Sequence, residues 1–137
     1  METHFQLTDA EFEKQFEEAS LDPGLFNHQA HLRLAWIHIS NYGIDPAIDH
    51  ISAQLKNYTT SLGAADKYHE TVTVAAIRAV YHFTLKSKAT TFMEFIEENP
   101  RLEHNFKDLM DAHYGFDLFS SQEARKNYLA PDLLPFD

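Results

Sequence analysis

The chain has 137 residues, 44% of them hydrophobic and 13% aromatic, which is material for one core and excludes a disordered segment. Its 21 acidic against 11 basic residues give a formal net charge of -10, and Lys and Arg are scattered along the chain. That balance argues against nucleic acid and anionic membrane as partners. Cysteine is absent, which excludes disulfides, thiolate zinc sites, iron–sulfur clusters and a cysteine nucleophile, so any metal must use His, Asp, Glu or water.

In chain order, Thr8 and Glu11 form a capping-box pattern that opens a first helix, carried by Phe12, Phe16 and Ala19 to about Ser20. Asp22-Pro23-Gly24 breaks it. Asn27 is suited to cap a second helix with Leu32, Trp36 and Ile39 in one apolar stripe, stopped near Tyr42-Gly43. Asp45 as cap and Pro46 at the first helical position start a third, with Ile48, Ile51, Leu55 and Tyr58 inward until Gly63.

Asp66 is suited to cap a fourth helix, whose apolar face from Val72 to Phe83 is broad enough for the centre of a bundle. Thr91 opens a short helix ended by Asn99-Pro100, and Leu102 to Met110 adds a further turn or two. Ser120 to Glu123 is a second capping-box pattern, opening a last helix through Ala124, Tyr128 and Leu129 before Pro131. The apolar tail Leu133-Leu134-Pro135-Phe136 is expected to pack back on the bundle.

No alternating run bounded by turn signals suggests a sheet, and none of the four glycines sits in a phosphate-cradling loop. The expectation is an all-α protein: a single helical domain over 1–137, a bundle of about five to six helices. Three helices joined by short loops run up, down and up, so the second and fourth are expected to be parallel. The N-terminus has no basic stretch leading into an apolar one, and no segment nears eighteen apolar residues, which points to a cytoplasmic protein.

Nine histidines are the unusual feature of this composition. His28 and His31 are the one pair at helical ligand spacing; three residues apart on one helix, their Cβ atoms lie ~5–6 Å from each other. His69 falls in the first turn expected after Asp66. Both places are helix N-termini, where the dipole disfavours imidazolium and keeps the ring in its metal-binding neutral form. The same dipole repels a bare cation, so an anionic companion such as Glu70 or a substrate carboxylate is needed. His38 lies about 10.5 Å of helical rise beyond His31, too far to share one ion, and reads as a core histidine bonded to a carbonyl.

Other chemistries fail specific checks. His69-Glu70-Thr71-Val72-Thr73 resembles the start of a zincin motif but has Thr where the second His belongs. No Glu has a His three residues later, as a di-iron bundle requires, and Ser61 lacks the nucleophile elbow of a hydrolase.

Phe26 to Trp36 (Phe-Asn-His-Gln-Ala-His-Leu-Arg-Leu-Ala-Trp), Tyr68-His69-Glu70-Thr71, and Ser121 to Arg125 followed by Pro131-Asp132-Leu133 resemble a family of small uncharacterised bacterial helical proteins. That family carries F-x-H-x-x-H-L-x-x-A-W and Y-H-E-T motifs and an A-R…P-D-L ending. The resemblance spans about Leu25 to Leu134. It implies no reaction, but it puts His28, His31, His69 and Glu70 inside shared motifs and leaves His4, His38, His50 and His104 outside them.

The leading functional expectation is one divalent metal held by His28, His31 and His69, with Glu70 as fourth ligand or as catalytic base for a bound water. Zinc suits three neutral imidazoles and an open position; nickel, iron and manganese accept the same donors. Arg125 and Trp36 are the candidate contacts for a small anionic ligand, and a metal-dependent enzyme is one outcome. The rival expectation is a metal-free helical module that binds a protein or an apolar small molecule through Phe- and Tyr-rich pockets.

Overall fold

A computed structural model of the chain describes residues 3–136. Every regular element among the described residues is helical: α1 (Asp9–Glu17), α2 (His28–Tyr42), α3 (Ile44–Ser61), α4 (Glu70–Thr84), α5 (Phe92–Glu98), α6 (Pro100–His104), α7 (Phe106–His113) and α8 (Gln122–Lys126). The all-α class expected from periodicity is observed, with eight helices where five to six were expected. Much of the excess lies after Thr91, where Pro100 opens α6 at its first position and Asn105 separates it from α7. The chain divides into two compact units, one reaching to Tyr68 and the other beginning at His69.

In the first unit the expected capping box forms. Thr8 Oγ1 accepts the Glu11 amide at 3.1 Å, and Glu11 Oε1 accepts the Thr8 amide at 2.9 Å. Asn27 Oδ1 accepts the Ala30 amide at 2.8 Å and starts α2 where expected. The start of α3 differs from expectation: Gly43, not Asp45, is the boundary residue, and its φ of 90° reverses the chain between α2 and α3 in a single residue. Asp45 instead lies in the first turn, where its charge suits the helix dipole. The three helices pack on one another, with the Phe16 ring 5.1 Å from both Phe26 and Tyr58.

A buried arginine ties the N-terminal segment to α2. Arg33 is 4% exposed, donates to the carbonyls of His4 and Leu7 at 2.7 and 2.9 Å, and holds Asp9 through Nε and NH2 at 3.1 and 2.8 Å. Its guanidinium also lies over the rings of Phe5 and Phe12. A buried guanidinium is stable only when its donors are met, and here all five have partners, the fifth facing His4 Nδ1 at 3.2 Å.

In the second unit α4 is buried over eight of its fifteen residues, as a broad apolar face requires. Asp66 does not cap it. That residue sits in a 3-10 turn (Ala65–Lys67), and His69 is the cap. The last helix also differs: Ser121 caps it, and it ends at Lys126, so Tyr128 and Leu129 lie outside it. The cause is Thr71 on α4, whose hydroxyl donates to the Asn127 carbonyl at 2.7 Å and accepts the Leu129 amide at 3.0 Å. Those backbone groups bond to Thr71 rather than continuing a helix. The tail packs back through Phe136, 5% exposed and stacked on His113, while Leu133 and Leu134 stay exposed.

Candidate functional site

The sequence candidates fall in both units. His28, His31 and Trp36 are on α2 in the first; His69, Glu70 and Arg125 are in the second.

At the start of α2, His28 is the first helical residue and His31 follows one turn later. The edge of the Phe26 ring meets His31 with centroids 5.6 Å apart, and Phe26 in turn contacts Phe16 and Tyr58. The Tyr58 hydroxyl donates to the Leu21 carbonyl at 2.9 Å, which fixes that aromatic wall. The His31 side chain is partly exposed, yet its Nε2 is sealed from solvent and has no hydrogen-bond partner among the described residues. Burial, reinforced by the neighbouring His28, holds its pKa down to about 4. The ring is therefore neutral at pH 7, through burial rather than through the helix dipole invoked from the sequence. Phe26 and Tyr58 also line a pocket of about 210 Å³ with Pro23, Thr59, Leu62 and Lys67.

His38, further along α2, is 1% exposed, and neither of its ring nitrogens has a partner among the described residues. The carbonyl bond expected for it is not made. Its ring instead packs against Tyr42 and His50, and burial holds its pKa below the ordinary value against the opposing pull of Glu13.

At the start of α4, both nitrogens of His69 are engaged. Nδ1 accepts the Val72 amide at 3.1 Å, and Nε2 lies 3.0 Å from the Leu118 carbonyl. A carbonyl only accepts, so Nε2 carries the proton and Nδ1 offers its lone pair to the helix. This single tautomer caps α4 and ties it to the turn at Leu118–Ser120. Burial holds the His69 pKa low, and the positive charge of Arg125 on α8 pushes the same way, opposed by the hydrogen bond to Leu118. Glu70 is the first residue of α4 and half-buried.

Among the described residues, no group of three or more His, Asp or Glu side chains is arranged to hold one metal ion. A metal at His69 would have to displace either the cap or the Leu118 bond, since neutral imidazole has one lone pair to give.

Sequence reasoning missed Arg33, although an arginine flanked by Leu32 and Leu34 in a largely buried helix was a visible signal of a buried, bonded guanidinium. It placed Thr71 in the Tyr68-His69-Glu70-Thr71 motif but missed its role, because its partners lie 56 and 58 residues away. Compared with known proteins, the chain matches no family model, no curated protein and no solved structure. No helix among the described residues is long and apolar enough to cross a membrane.

Proposed function

We propose that this chain is a metal-free helical binding module for an apolar small molecule or a protein partner, with His31 and His69 acting as neutral structural groups. The observation that carries the reading is His69, whose two nitrogens are both used within its own unit. The pocket lined by Phe26, Tyr58 and Leu62 supports the binding side, since about 210 Å³ of mostly apolar lining suits a small aromatic ligand. A cytoplasmic setting and membership of the motif family belong to the same proposal.

Nitrogen-detected NMR of the imidazoles tests it. His69 should show the Nε2-protonated tautomer, with no change on adding one equivalent of zinc, and indole should perturb the amides around Phe26 and Tyr58 saturably. Loss of that tautomer on adding zinc would overturn the metal-free reading. Absence of saturable indole shifts would leave a protein partner as its ligand.

One observation favours a second reading, a divalent metal such as zinc: the buried, unpartnered Nε2 of His31, with His28 one turn before it. A centre of His28, His31 and His69 requires α2 and α4 to be parallel with their N-termini together, and His69 to release one hydrogen bond. Glu70 would then act as ligand or base, with Arg125 and Trp36 contacting an anionic substrate.

A further inference from the structure

A second pocket, of about 270 Å³, lies in the second unit and has a different chemistry. His82 is in the last turn of α4, Lys86 lies just past its end, Arg101 is the second residue of α6, and His113 is the last of α7. These four nitrogenous side chains line it together with the rings of Phe83 and Phe136. No carboxylate lines it among the described residues, in a chain whose acidic residues outnumber its basic ones by 21 to 11. A basic concavity is therefore the reverse of what the overall composition supplies.

Lys86 and Arg101 make no ion pair among the described residues. Helix ends explain part of this arrangement, since the Lys86 ammonium complements the negative C-terminus of α4. They do not account for Arg101, since α6 has only five residues and Arg101 belongs to both its first and its last turn, where the dipole's two effects oppose each other. The apolar side is built rather than incidental. The His113 ring stacks on Phe136 at 4.1 Å, and its Nδ1 donates to the Leu134 carbonyl at 2.7 Å, so the tail is fastened as one wall.

We propose that this pocket binds a small organic acid, with its carboxylate between Lys86 and Arg101 and its apolar body against Phe83 and Phe136. Paired cations recognise a carboxylate through charge-assisted hydrogen bonds, and the aromatic wall selects acids with a hydrocarbon portion over inorganic anions. The volume falls just under the roughly 300 Å³ where sites for drug-sized ligands begin, which suits an aryl or short-chain acid. This goes beyond the module reading and does not depend on it, because none of the motif histidines takes part.

The test is titration of the full chain with 3-phenylpropionate, followed by amide NMR, alongside 3-phenyl-1-propanol and inorganic phosphate. Saturable shifts are expected on the end of α4, on α6 and α7 and in the tail. Affinity should fall at least about tenfold for the alcohol, and by as much in a Lys86→Ala/Arg101→Ala variant. Both side chains are exposed, so that variant should melt with the parent. The proposal is overturned by no saturation below about 10 mM, the weak end of specific small-ligand binding. It is equally overturned by equal binding of the alcohol or of phosphate, or by undiminished binding in the variant.

Discussion

The His69 imidazole accepts the Val72 amide hydrogen through Nδ1 while its Nε2 donates to the Leu118 carbonyl, so one neutral ring closes the first turn of α4 and anchors a distant turn. Removing it with His69→Ala should cost about 1–3 kcal/mol, the sum of a lost cap and a lost hydrogen bond. His69→Asn should recover roughly the capping share, ~1 kcal/mol, because a short amide oxygen is a favoured cap. Urea denaturation at constant slope measures both, and an Asn variant no more stable than Ala would contradict the capping role.

Acid should destabilise the protein through His31. An unfolded His binds its proton below about 6.5, whereas folded His31 stays neutral down to about 4. The unfolded state therefore holds more protons between those values, so stability is full above about pH 6.5, falls as pH drops through the window, and levels below about 4. The loss is of order 3 kcal/mol. His38 and His69, also held low chiefly by burial, act in the same direction. His31→Leu should reduce this slope by the His31 share and cost little at neutral pH, since it removes a buried nitrogen that has no partner. Denaturation midpoints at pH 7, 5.5 and 4.5 decide it, in three matched series.

The positions of the caps show what local sequence can reveal. Thr8, Asn27 and Thr91 were legible because a capping residue of the right type stands just before an apolar periodic run. At α4 the rule chose Asp66, a better capping type than His, but the 3-10 turn at Ala65–Lys67 moves the helix start onward to His69. The pairing of His28 with His31 was legible from spacing alone. The engagement of His69 was not, because Leu118 lies 49 residues further along. Likewise the pocket formed by Lys86, Arg101 and His113 draws on three separate helical elements, and no periodicity marks it.

Arg33 and Asp9 should behave asymmetrically. Arg33→Ala strands the Leu7 carbonyl, leaves the His4 carbonyl with the Leu7 amide alone and empties space beside Phe5 and Phe12, for an expected loss of about 2–4 kcal/mol. Asp9 is 53% exposed, so Asp9→Asn leaves its polar group in water and should cost far less. Arg33→Lys should not rescue, because one ammonium cannot reproduce the fork that reaches two carbonyls and a carboxylate. Equal losses at the two positions by thermal denaturation would refute this account of the N-terminal segment.

Thr71→Val keeps the shape of the side chain but strands the Asn127 carbonyl and the Leu129 amide, at a cost of about 1–3 kcal/mol. The same change should speed hydrogen exchange at the Leu129 amide. Unaltered protection there would show that Thr71 does not hold this segment in its extended form.

The most direct test of the central claim, that the motif histidines are structural and metal-free, is metal content and melting temperature of untagged protein with and without chelator. Substoichiometric metal after purification and a melting temperature unchanged by chelation are expected, because no bound ion adds its linkage free energy to the folded state. Near-stoichiometric metal, with a fall of many degrees on chelation that is absent in His28→Ala, would contradict that claim and establish the His28/His31 metal site instead.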